Sequence, residues 1–202
     1  MDDTVIRAAT MDDREDVIDS LTSAFAADPL MSWMTRSDPL DPTRVRLFFE
    51  AILDGEFQKG VESTYVAGSG SGASIWRGVG DKGPSNMGVL KSAPSYIRVF
   101  RSGMGRALRV VSAIESTHPK EPHVYLFYVG VHQDSRGQGL GAALLAPMLE
   151  RCDTEGIPAY LENSNPDNEA FYARLGFVQR GTISLPKGAP PLVPMWREPR
   201  NP

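Results

Sequence analysis

The sequence has 202 residues, enough for one domain with its own hydrophobic core. Its net charge of −4 argues against nonspecific binding to DNA or to an anionic membrane, which needs a basic surface. The single cysteine, Cys152, excludes an intrachain disulfide, and the three histidines lack metal-ligand spacing. No apolar run could span a membrane, and the acidic start differs from a secretory signal. We therefore expect one cytoplasmic, metal-free domain over residues 1–202.

The first half of the chain mixes helical periodicity with short alternating runs. Capping residues and prolines set the expected boundaries, because the residue before proline leaves the helical region and proline suits a first helical turn. The glycine-rich stretch at 68–72 lacks the Lys-Ser/Thr ending of a phosphate-binding loop and is expected to be a hairpin turn. The predicted elements are a strand at 4–9, a helix from Thr10 to Asp28, a helix from Asp41 to Gly60, and paired strands at 61–67 and 73–77.

Residues 78–122 separate this hairpin from the next strand. We expect 78–92 to form a loop and the apolar spacing from Ile97 to Val111 to form a helix, which Ser102-Gly103 can interrupt. Four arginines on that helix have no acidic neighbour, and a solvated face is a simpler explanation than contact with an anionic ligand. They are Arg98, Arg101, Arg106 and Arg109.

The second half predicts an alternation of strands and helices. Its first strand is apolar on both faces, which is typical of the centre of a sheet, and Pro147 should kink the helix that follows. The predicted elements are a strand at Val124–Val131, a helix at Leu140–Glu155, a strand at Ile157–Glu162, a helix at Asp167–Leu175, and strands at Phe177–Leu185 and Val193–Arg197.

A glycine-rich run follows the central strand and enters the next helix. It reads Arg136-Gly137-Gln138-Gly139-Leu140-Gly141. A helix start presents unpaired N–H groups and the positive end of the dipole, and glycines let the backbone approach a bulky anion. The run lacks the third glycine of the dinucleotide-binding fingerprint. Taken alone, it fits either a phosphate site or a simple strand-to-helix turn.

A second motif clarifies the first. After one further strand come Asn165-Pro-Asp-Asn168 and then Phe171-Tyr172, followed by Gly176-Phe177, and Tyr172 lies 31 residues beyond Gly141. Together the motifs resemble the GNAT superfamily of acyl-CoA-dependent N-acyltransferases over roughly residues 120–185. Within it the sequence looks like the group of puromycin N-acetyltransferase and its relatives, although the substrate-side regions do not match closely enough to imply puromycin.

The resemblance implies an α/β (α+β) fold. The GNAT fold has a central twisted, mixed and mostly antiparallel sheet of about seven strands flanked by helices. Two adjacent parallel strands splay apart to admit acetyl-CoA, and they map to Val124–Val131 and Ile157–Glu162. Residues 78–122 would be a substrate-side insertion in this single domain.

The resemblance also implies a set of residues that bind acetyl-CoA. The backbone of Val129 and Val131 would pair with the pantetheine arm like an added strand. The amides from Arg136 to Ala142 would hold the pyrophosphate. An asparagine near the short helix would contact the cofactor, and we rank Asn168 above Asn165. The full set is Val129, Val131, Arg136, Gly137, Gln138, Gly139, Leu140, Gly141, Ala142, Asn165, Asn168 and Phe171.

The implied reaction is direct acetyl transfer from acetyl-CoA to an amine. A backbone N–H near Val129–Val131, freed by a bulge, would stabilise the oxyanion. Tyr172 is either the acid that protonates the departing thiolate or an aromatic packed on the sheet, and the motif favours the acid. Glu162 is either the general base or an ion-paired carboxylate.

Other polar residues carry weaker expectations. Asp28 either binds an ammonium group or caps a turn, and the turn is favoured. His118 and His123 flank the central strand and are expected to be structural. Cys152 has no basic partner in the sequence and is expected to be an inert packed thiol.

Three functions remain open from the sequence. The first is N-acetylation of a small, antibiotic-like or xenobiotic primary amine, which the insertion favours because it can close over a compact acceptor. The second is N-acetylation of a protein or peptide. The third is a non-catalytic acyl-CoA-binding module, which the intact Tyr172 disfavours. We expect no nucleic-acid or membrane partner, and a monomer or homodimer.

Overall fold

The computed structural model of the chain describes residues 5–57, 63–68, 70–81 and 86–200. The predicted helix stop at Gly60 and the predicted start of the hairpin at 61 lie outside them. The strands are β1 Ile6–Ala8, β2 Thr64–Ala67, β3 Gly72–Arg77, β4 Val124–Val131, β5 Ala159–Asn163, β6 Val178–Gln179 and β7 Val193–Arg197. The helices are α1 Arg14–Ala24, α2 Pro29–Thr35, α3 Pro42–Glu56, α4 Asn86–Phe100, α5 Met104–Thr117, α6 Leu140–Glu155 and α7 Glu169–Arg174. Within the described ranges, none of the helices has the length and apolar character to cross a membrane.

The strands form one mixed sheet in the order β1-β2-β3-β4-β5-β7-β6. Only β4 and β5 are parallel, and every other neighbouring pair is antiparallel. This confirms the predicted fold class, including the central place of the apolar strand at Val124–Val131. The parallel pair is joined through α6, as a parallel connection requires a long crossover.

A β-bulge interrupts the register between β3 and β4. Ile75 pairs with Tyr128 and Trp76 pairs with Leu126, so Phe127 has no partner on β3. A bulge breaks the alternation of side chains, and Phe127 and Tyr128 therefore lie on the same face of the sheet with ring centroids 4.4 Å apart. Beyond the bulge, the odd-numbered residues of β4 therefore lie on the sheet face that the even-numbered residues occupy before it.

The two faces of the sheet carry different helices. On one face, α6 packs its apolar side on Trp76, Val124 and Leu126. It continues through Pro147 without a break, and the buried hydroxyl of Ser74 on β3 donates to the carbonyl of Leu144, 2.9 Å away. The opposite face is covered by α1, α3 and the α4–α5 pair around an aromatic cluster: Phe25, Phe48, Phe49, Tyr96, Phe100 and Tyr128.

Several predicted boundaries are wrong. The first helix ends at Ala24, because Asp28 begins α2: its Oδ1 accepts the N–H of Met31, and Pro29 fills the first helical position. The predicted loop at 78–92 contains the start of α4 at Asn86. The predicted strand at Phe177–Leu185 is reduced to Val178–Gln179, because Gly181 adopts a φ of 82° that turns the chain away from β7.

Gly130 on β4 lets α1 approach the sheet. A Cβ at this position would lie 2.5 Å from Cβ of Ala24 and 3.1 Å from Cδ2 of Leu21. Any larger residue would push α1 away from β4, one of the two parallel strands.

We expect Gly130→Ala to lower the free energy of unfolding by about 1–3 kcal/mol, because the added methyl group overpacks the contact with α1. Urea unfolding followed by circular dichroism measures this change. The matched control is Gly105→Ala in α5, where an added Cβ meets no atom within 4 Å. This control should gain up to ~1 kcal/mol of helix propensity. A Gly130→Ala protein as stable as the unsubstituted chain would contradict the close packing.

Candidate active site

A gap opens between the two parallel strands. β4 and β5 pair only at Val124 with Ala159 and at Tyr125 with Tyr160. Beyond these pairs, β5 continues along β7 while β4 continues along β3. The facing backbone edges of the two strands are therefore free to bind an extended ligand.

The bulge decides which backbone groups face this gap. Val124 donates its N–H to Pro158, on the β5 side, whereas His132 donates its N–H to Ser71, on the β3 side. Successive residues of a strand point their N–H and C=O groups to opposite edges. Because the N–H of His132 points to β3, the N–H and C=O groups of Val131 and Val129 point to the gap. Without the bulge, even-numbered residues would occupy these places.

The glycine-rich turn brings the start of α6 to the end of the gap. Gly137 and Gly139 have φ values of 78° and 80°, which only glycine adopts readily. Gly139 is the N-cap of α6 and provides no side chain, and its carbonyl accepts the N–H groups of Ala142 and Ala143. The N–H groups of Leu140 and Gly141 precede these bonds at the positive end of the helix dipole. A Cβ at Gly137 or Gly139 would meet no atom within 4 Å, so the backbone there is accessible.

One aromatic side chain and one basic side chain lie beside the glycine-rich turn. A Cβ at Gly141 would lie 3.3 Å from Cζ of Phe171, so this ring lies against the first turn of α6. Arg136 donates to the carbonyl of Ala24, at 3.0 Å, and thus ties the turn to the end of α1. The sequence pattern did not indicate this bond.

The asparagines after β5 have distinct environments. Oδ1 of Asn165 accepts the N–H of Asp167 and caps the turn at Pro166–Asn168. Asn168 is exposed beside the start of α7. Asn163, which the sequence analysis did not select, is 3% exposed, and its Nδ2 has no hydrogen-bond partner within the described part of the chain. Asn163 is thus an additional candidate for contact with a ligand.

Tyr172 lies on the face of the sheet that carries α6. Its ring packs edge-on against Phe171 and Phe177, with centroids at 5.1 and 6.0 Å. It belongs to the same apolar cluster as Leu161 and Val129, which border the gap. Burial raises the pKa of Tyr172 above its usual value, so its hydroxyl keeps its proton at neutral pH.

Glu162 lies on the opposite face, because it follows Leu161 directly along β5. Its side chain is only 4% exposed. Oε2 accepts a hydrogen bond of 2.5 Å from the hydroxyl of Tyr125, and Oε1 lies 3.5 Å from Nδ1 of His118. Burial and the neighbouring carboxylate raise the pKa of Tyr125 well above its ordinary value. The structure thus brings Tyr125 and His118 to Glu162, and neither was assigned a functional role from the sequence.

Asp28 lies near the end of β5 and is buried. Its Oδ1 caps α2, as the preferred sequence interpretation proposed, and its Oδ2 accepts a hydrogen bond of 2.7 Å from Ser164. Burial raises the pKa of Asp28 despite these bonds. Asp28 therefore joins the α1–α2 turn to the segment that follows Glu162.

One of the arginines predicted to be solvated has a packing role. Arg106 donates to the carbonyl of Trp33 at 2.8 Å, and its guanidinium lies 4.6 Å from the centre of the Trp33 ring. It attaches α5 to α2, so the prediction of a solvated face is wrong at this position.

Cys152 lies on the buried side of α6, within the apolar cluster that contains Tyr172. Burial raises the pKa of this thiol to about 11. A reactive cysteine needs a lowered pKa and access to solvent, and Cys152 has neither.

Comparisons with known proteins agree with this geometry. Residues 87–177 match the acetyltransferase (GNAT) family. Over 195 residues the chain is 29% identical to an uncharacterized N-acetyltransferase of Schizosaccharomyces pombe, and the alignment covers 90% of this chain and 78% of that protein.

Solved structures show the same fold. The crystal structure of histone acetyltransferase HPA2 and related acetyltransferase from Corynebacterium glutamicum has a TM-score of 0.71 at 28% identity, covering 100% of this chain and 99% of that one. The polyamine N-acetyltransferase of Drosophila melanogaster has a TM-score of 0.62 at 18% identity, covering 96% and 99%.

Separated parallel strands beside a glycine-rich helix start agree with the acetyltransferase family that residues 87–177 match. The chain carries a GNAT acetyltransferase domain and has N-acetyltransferase homologues.

We expect Cys152 to react with a thiol reagent about 10²-fold more slowly in the native protein than in urea at pH 8. At that pH, a pKa raised to about 11 leaves far less thiolate than the pKa of a free cysteine does. Absorbance of the released chromophore of a disulfide reagent measures both rates, with free cysteine in the same urea as the control. Equal rates in the two states would contradict the buried position.

Proposed function

We propose that the chain transfers an acetyl group from acetyl-CoA directly to a primary amine of a small, antibiotic-like or xenobiotic molecule. The observation that carries this proposal is the position of two candidate proton-transfer groups on opposite faces of one gap. Tyr172 lies on the α6 face and Glu162 on the other. An acetyl group between the strands would have a proton donor for the sulfur on one side and a proton acceptor for the amine on the other.

The cofactor would lie along β4 and end at the start of α6. In this proposal the backbone of Val129 and Val131 pairs with the pantetheine arm, and the amides from Arg136 to Ala142 hold the pyrophosphate. The net charge of −4 disfavours a polyanion at long range. Local N–H dipoles would therefore supply the attraction, and Asn168, Asn165 or the unpaired amide of Asn163 would add a contact.

The reaction would proceed without an acyl-enzyme. The neutral amine attacks the thioester carbonyl, whose oxygen gains negative charge, and the N–H of Val129 in the gap is the proposed donor to that oxygen. Collapse of the intermediate breaks the carbon–sulfur bond and releases a thiolate, which takes a proton from the phenol of Tyr172. The nitrogen loses one proton as the amide forms, and this proton restores the phenol. The inert environment of Cys152 agrees with direct transfer, because no other cysteine is present in the chain.

Tyr172 is the proposed acid. Its raised pKa keeps the phenol protonated at neutral pH, so that it can donate to the departing thiolate. A thiolate formed in the same apolar surroundings would also gain proton affinity, because desolvation disfavours its charge. Burial raises the pKa of Cys152, in the cluster that contains Tyr172, to about 11 and illustrates this effect for a thiol.

Glu162 is the proposed base. An ammonium group must lose a proton before it can attack, and a carboxylate is an acceptor only. Tyr125 already occupies Oε2, whereas Oε1 is buried without a hydrogen bond within the described residues. The arrangement thus leaves one carboxylate oxygen for the proton of the acceptor.

The segment 78–122 is the proposed substrate-side insertion of a single domain over 1–202. A groove of about 290 Å³ lies between α5 and the segment after β6, and its lining includes Arg109, Ser116 and Thr117. Thr117 directly precedes His118, which contacts Glu162. The hydroxyl groups of Ser116 and Thr117 in this groove favour a polar acceptor.

A protein or peptide acceptor is the second candidate. It is favoured by the 28% identity to the structure from Corynebacterium glutamicum described as histone acetyltransferase HPA2 and related acetyltransferase. The two candidates differ in what should inhibit acetylation of a small amine: a competing peptide should do so only if it shares the acceptor site.

An acetylation screen tests the proposed function. Purified protein is mixed with acetyl-CoA and a panel of primary amines, aminoglycosides and lysine-containing peptides, and free thiol is measured. Small amines should release thiol at rates well above the peptides. Tyr172→Phe and Glu162→Gln should each reduce kcat by about 10²-fold or more, because each removes a proton-transfer group. Tyr65→Phe, on β2 away from the gap, should retain the wild-type rate.

Other results of the screen would overturn parts of the proposal. Thiol release with peptides alone would replace the small amine by a peptide acceptor. Binding of acetyl-CoA without turnover for any amine or peptide would favour the non-catalytic module.

A pair of glycine substitutions tests the cofactor site. Gly139→Asp should weaken acetyl-CoA binding at least 10-fold, because it places a carboxylate beside the phosphates. Gly156→Asp is the control: it lies at the other end of α6, has a φ of 68°, and an added Cβ there also meets no atom within 4 Å. Both variants carry the same charge and similar backbone strain, so calorimetric titration with acetyl-CoA separates position from destabilisation. Equal affinity in the two variants would show that the phosphates bind elsewhere.

A further inference from the structure

Two histidines and a buried carboxylate form a continuous row beside the gap. Nδ1 of His118 lies 3.5 Å from Oε1 of Glu162, and Nε2 of His118 lies 3.2 Å from Nε2 of His123. Nδ1 of His123 lies 2.7 Å from the carbonyl oxygen of Glu121. The acetyl-transfer chemistry proposed above uses Glu162 but neither histidine.

The hydrogen bonds fix where the protons of this row lie. The carbonyl of Glu121 only accepts, so Nδ1 of His123 carries a proton. Burial lowers the pKa of His123, which leaves this ring neutral and makes its Nε2 an acceptor. Nε2 of His118 must then donate, because two imidazole nitrogens at 3.2 Å need one proton between them. The remaining nitrogen, Nδ1 of His118, faces the carboxylate.

We propose that His118 is a positioning residue that takes over, through Glu162, the proton released by the acceptor amine. This inference rests on the proposed role of Glu162 as the base. Glu162 meets the substrate, and His118 acts on the reaction only through Glu162.

The proton count balances. An ammonium group gives one proton to Oε1 of Glu162, and this proton passes to Nδ1 of His118. The products of the transfer are a neutral amine, an ionised Glu162 and a His118 imidazolium. The N–H bond of the ammonium breaks, an N–H bond forms on the imidazole, and no redox partner is needed. After acetyl transfer the imidazolium releases its proton to solvent.

The exposed fractions of Glu162 and His118 indicate the direction of proton transfer along this row. The side chain of Glu162 is 4% exposed, whereas that of His118 is 32% exposed. A proton taken up at the buried carboxylate therefore reaches a ring that touches solvent. The other oxygen of the carboxylate is held by Tyr125, which directs the transfer through Oε1.

Within the described ranges, the carboxylate that lies against His118 is that of Glu162. Edge-on rings of Tyr125 and Tyr160 pack against its imidazole with centroids at 5.0 and 5.1 Å. The nearby ionic side chains are engaged in their own pairs. These are Arg77 with Glu56 at 2.7 Å and Arg180 with Glu121 at 2.5 Å.

The first experiment measures the coupling without turnover. The chain has three histidines, so ¹⁵N-histidine NMR can assign the tautomer of each. His123 should carry its proton on Nδ1, and His118 should carry its proton on Nε2. In Glu162→Gln the ¹⁵N shift of Nδ1 of His118 should change, because the carboxylate that faces this nitrogen loses its charge. The ¹⁵N shifts of His132 should stay unchanged. An unmoved Nδ1 shift of His118 would overturn the proposal.

The second experiment measures catalysis with the amine of highest kcat/KM from the screen. His118→Ala should lower kcat by about 10-fold or more and leave the KM for acetyl-CoA unchanged. The acidic limb of the kcat profile should move to lower pH, because the imidazolium that stops the wild-type base no longer forms. Added imidazole should restore part of the rate, as position 118 reaches solvent. His132→Ala is the matched control and should keep the wild-type profile.

The experiments distinguish failure of the proton relay from failure of the proposed function. A chain that acetylates amines but keeps its kcat and pH profile in His118→Ala would overturn the relay and leave the proposed function intact. A purely structural role of His118 would lower kcat without moving the acidic limb and without rescue by imidazole. Wild-type protein that acetylates no amine or peptide would overturn the proposed function, whatever the NMR coupling shows.

Discussion

The divergence of β4 from β5 is the constraint on which the rest of the site depends. Two residue pairs hold the strands together, and past them each strand is bonded only to its outer neighbour. The bulge at Phe127 makes this useful, because it turns the backbone groups of Val129 and Val131 toward the opening. A sheet with seven regularly paired strands would satisfy those groups internally and would leave no free edge for a ligand.

The gap also divides the chemistry between two faces. Leu161 and Glu162 are adjacent in the chain, yet strand alternation places them on opposite sides of the sheet. One side is the apolar cluster under α6, where burial favours protonated groups such as Tyr172 and Cys152. The other side holds an ionisable row of Glu162 and two histidines. The proposed reaction uses both environments, which the adjacent residues Leu161 and Glu162 border.

The helices pack on the two faces of the sheet and hold the segments beside the gap in place. Gly130 allows α1 to lie close on β4, and Arg136 and Asp28 tie the two ends of the α1–α2 turn to the glycine-rich segment and to the end of β5. On the same face of the sheet, the end of α5 places His118 beside Glu162. His118, within the proposed substrate-side insertion at 78–122, thus contributes to the surroundings of the proposed base.

Much of this protein follows from local patterns in its sequence. The apolar run of β4, the glycines at 137, 139 and 141, and the spacing to Tyr172 predicted the central strand, the helix start and the family, because each feature reflects backbone geometry over a few residues. Boundaries that depend on competing signals were wrong: Asp28-Pro29 stops one helix and starts another, and a positive φ at Gly181 ends a strand whose composition favours its continuation. Only the tertiary structure decided the partners of Glu162, since Tyr125, His118 and His123 reach it from separate segments. A proton affinity depends on burial and on neighbours within a few ångströms, and neither is encoded in the spacing of residues along the chain.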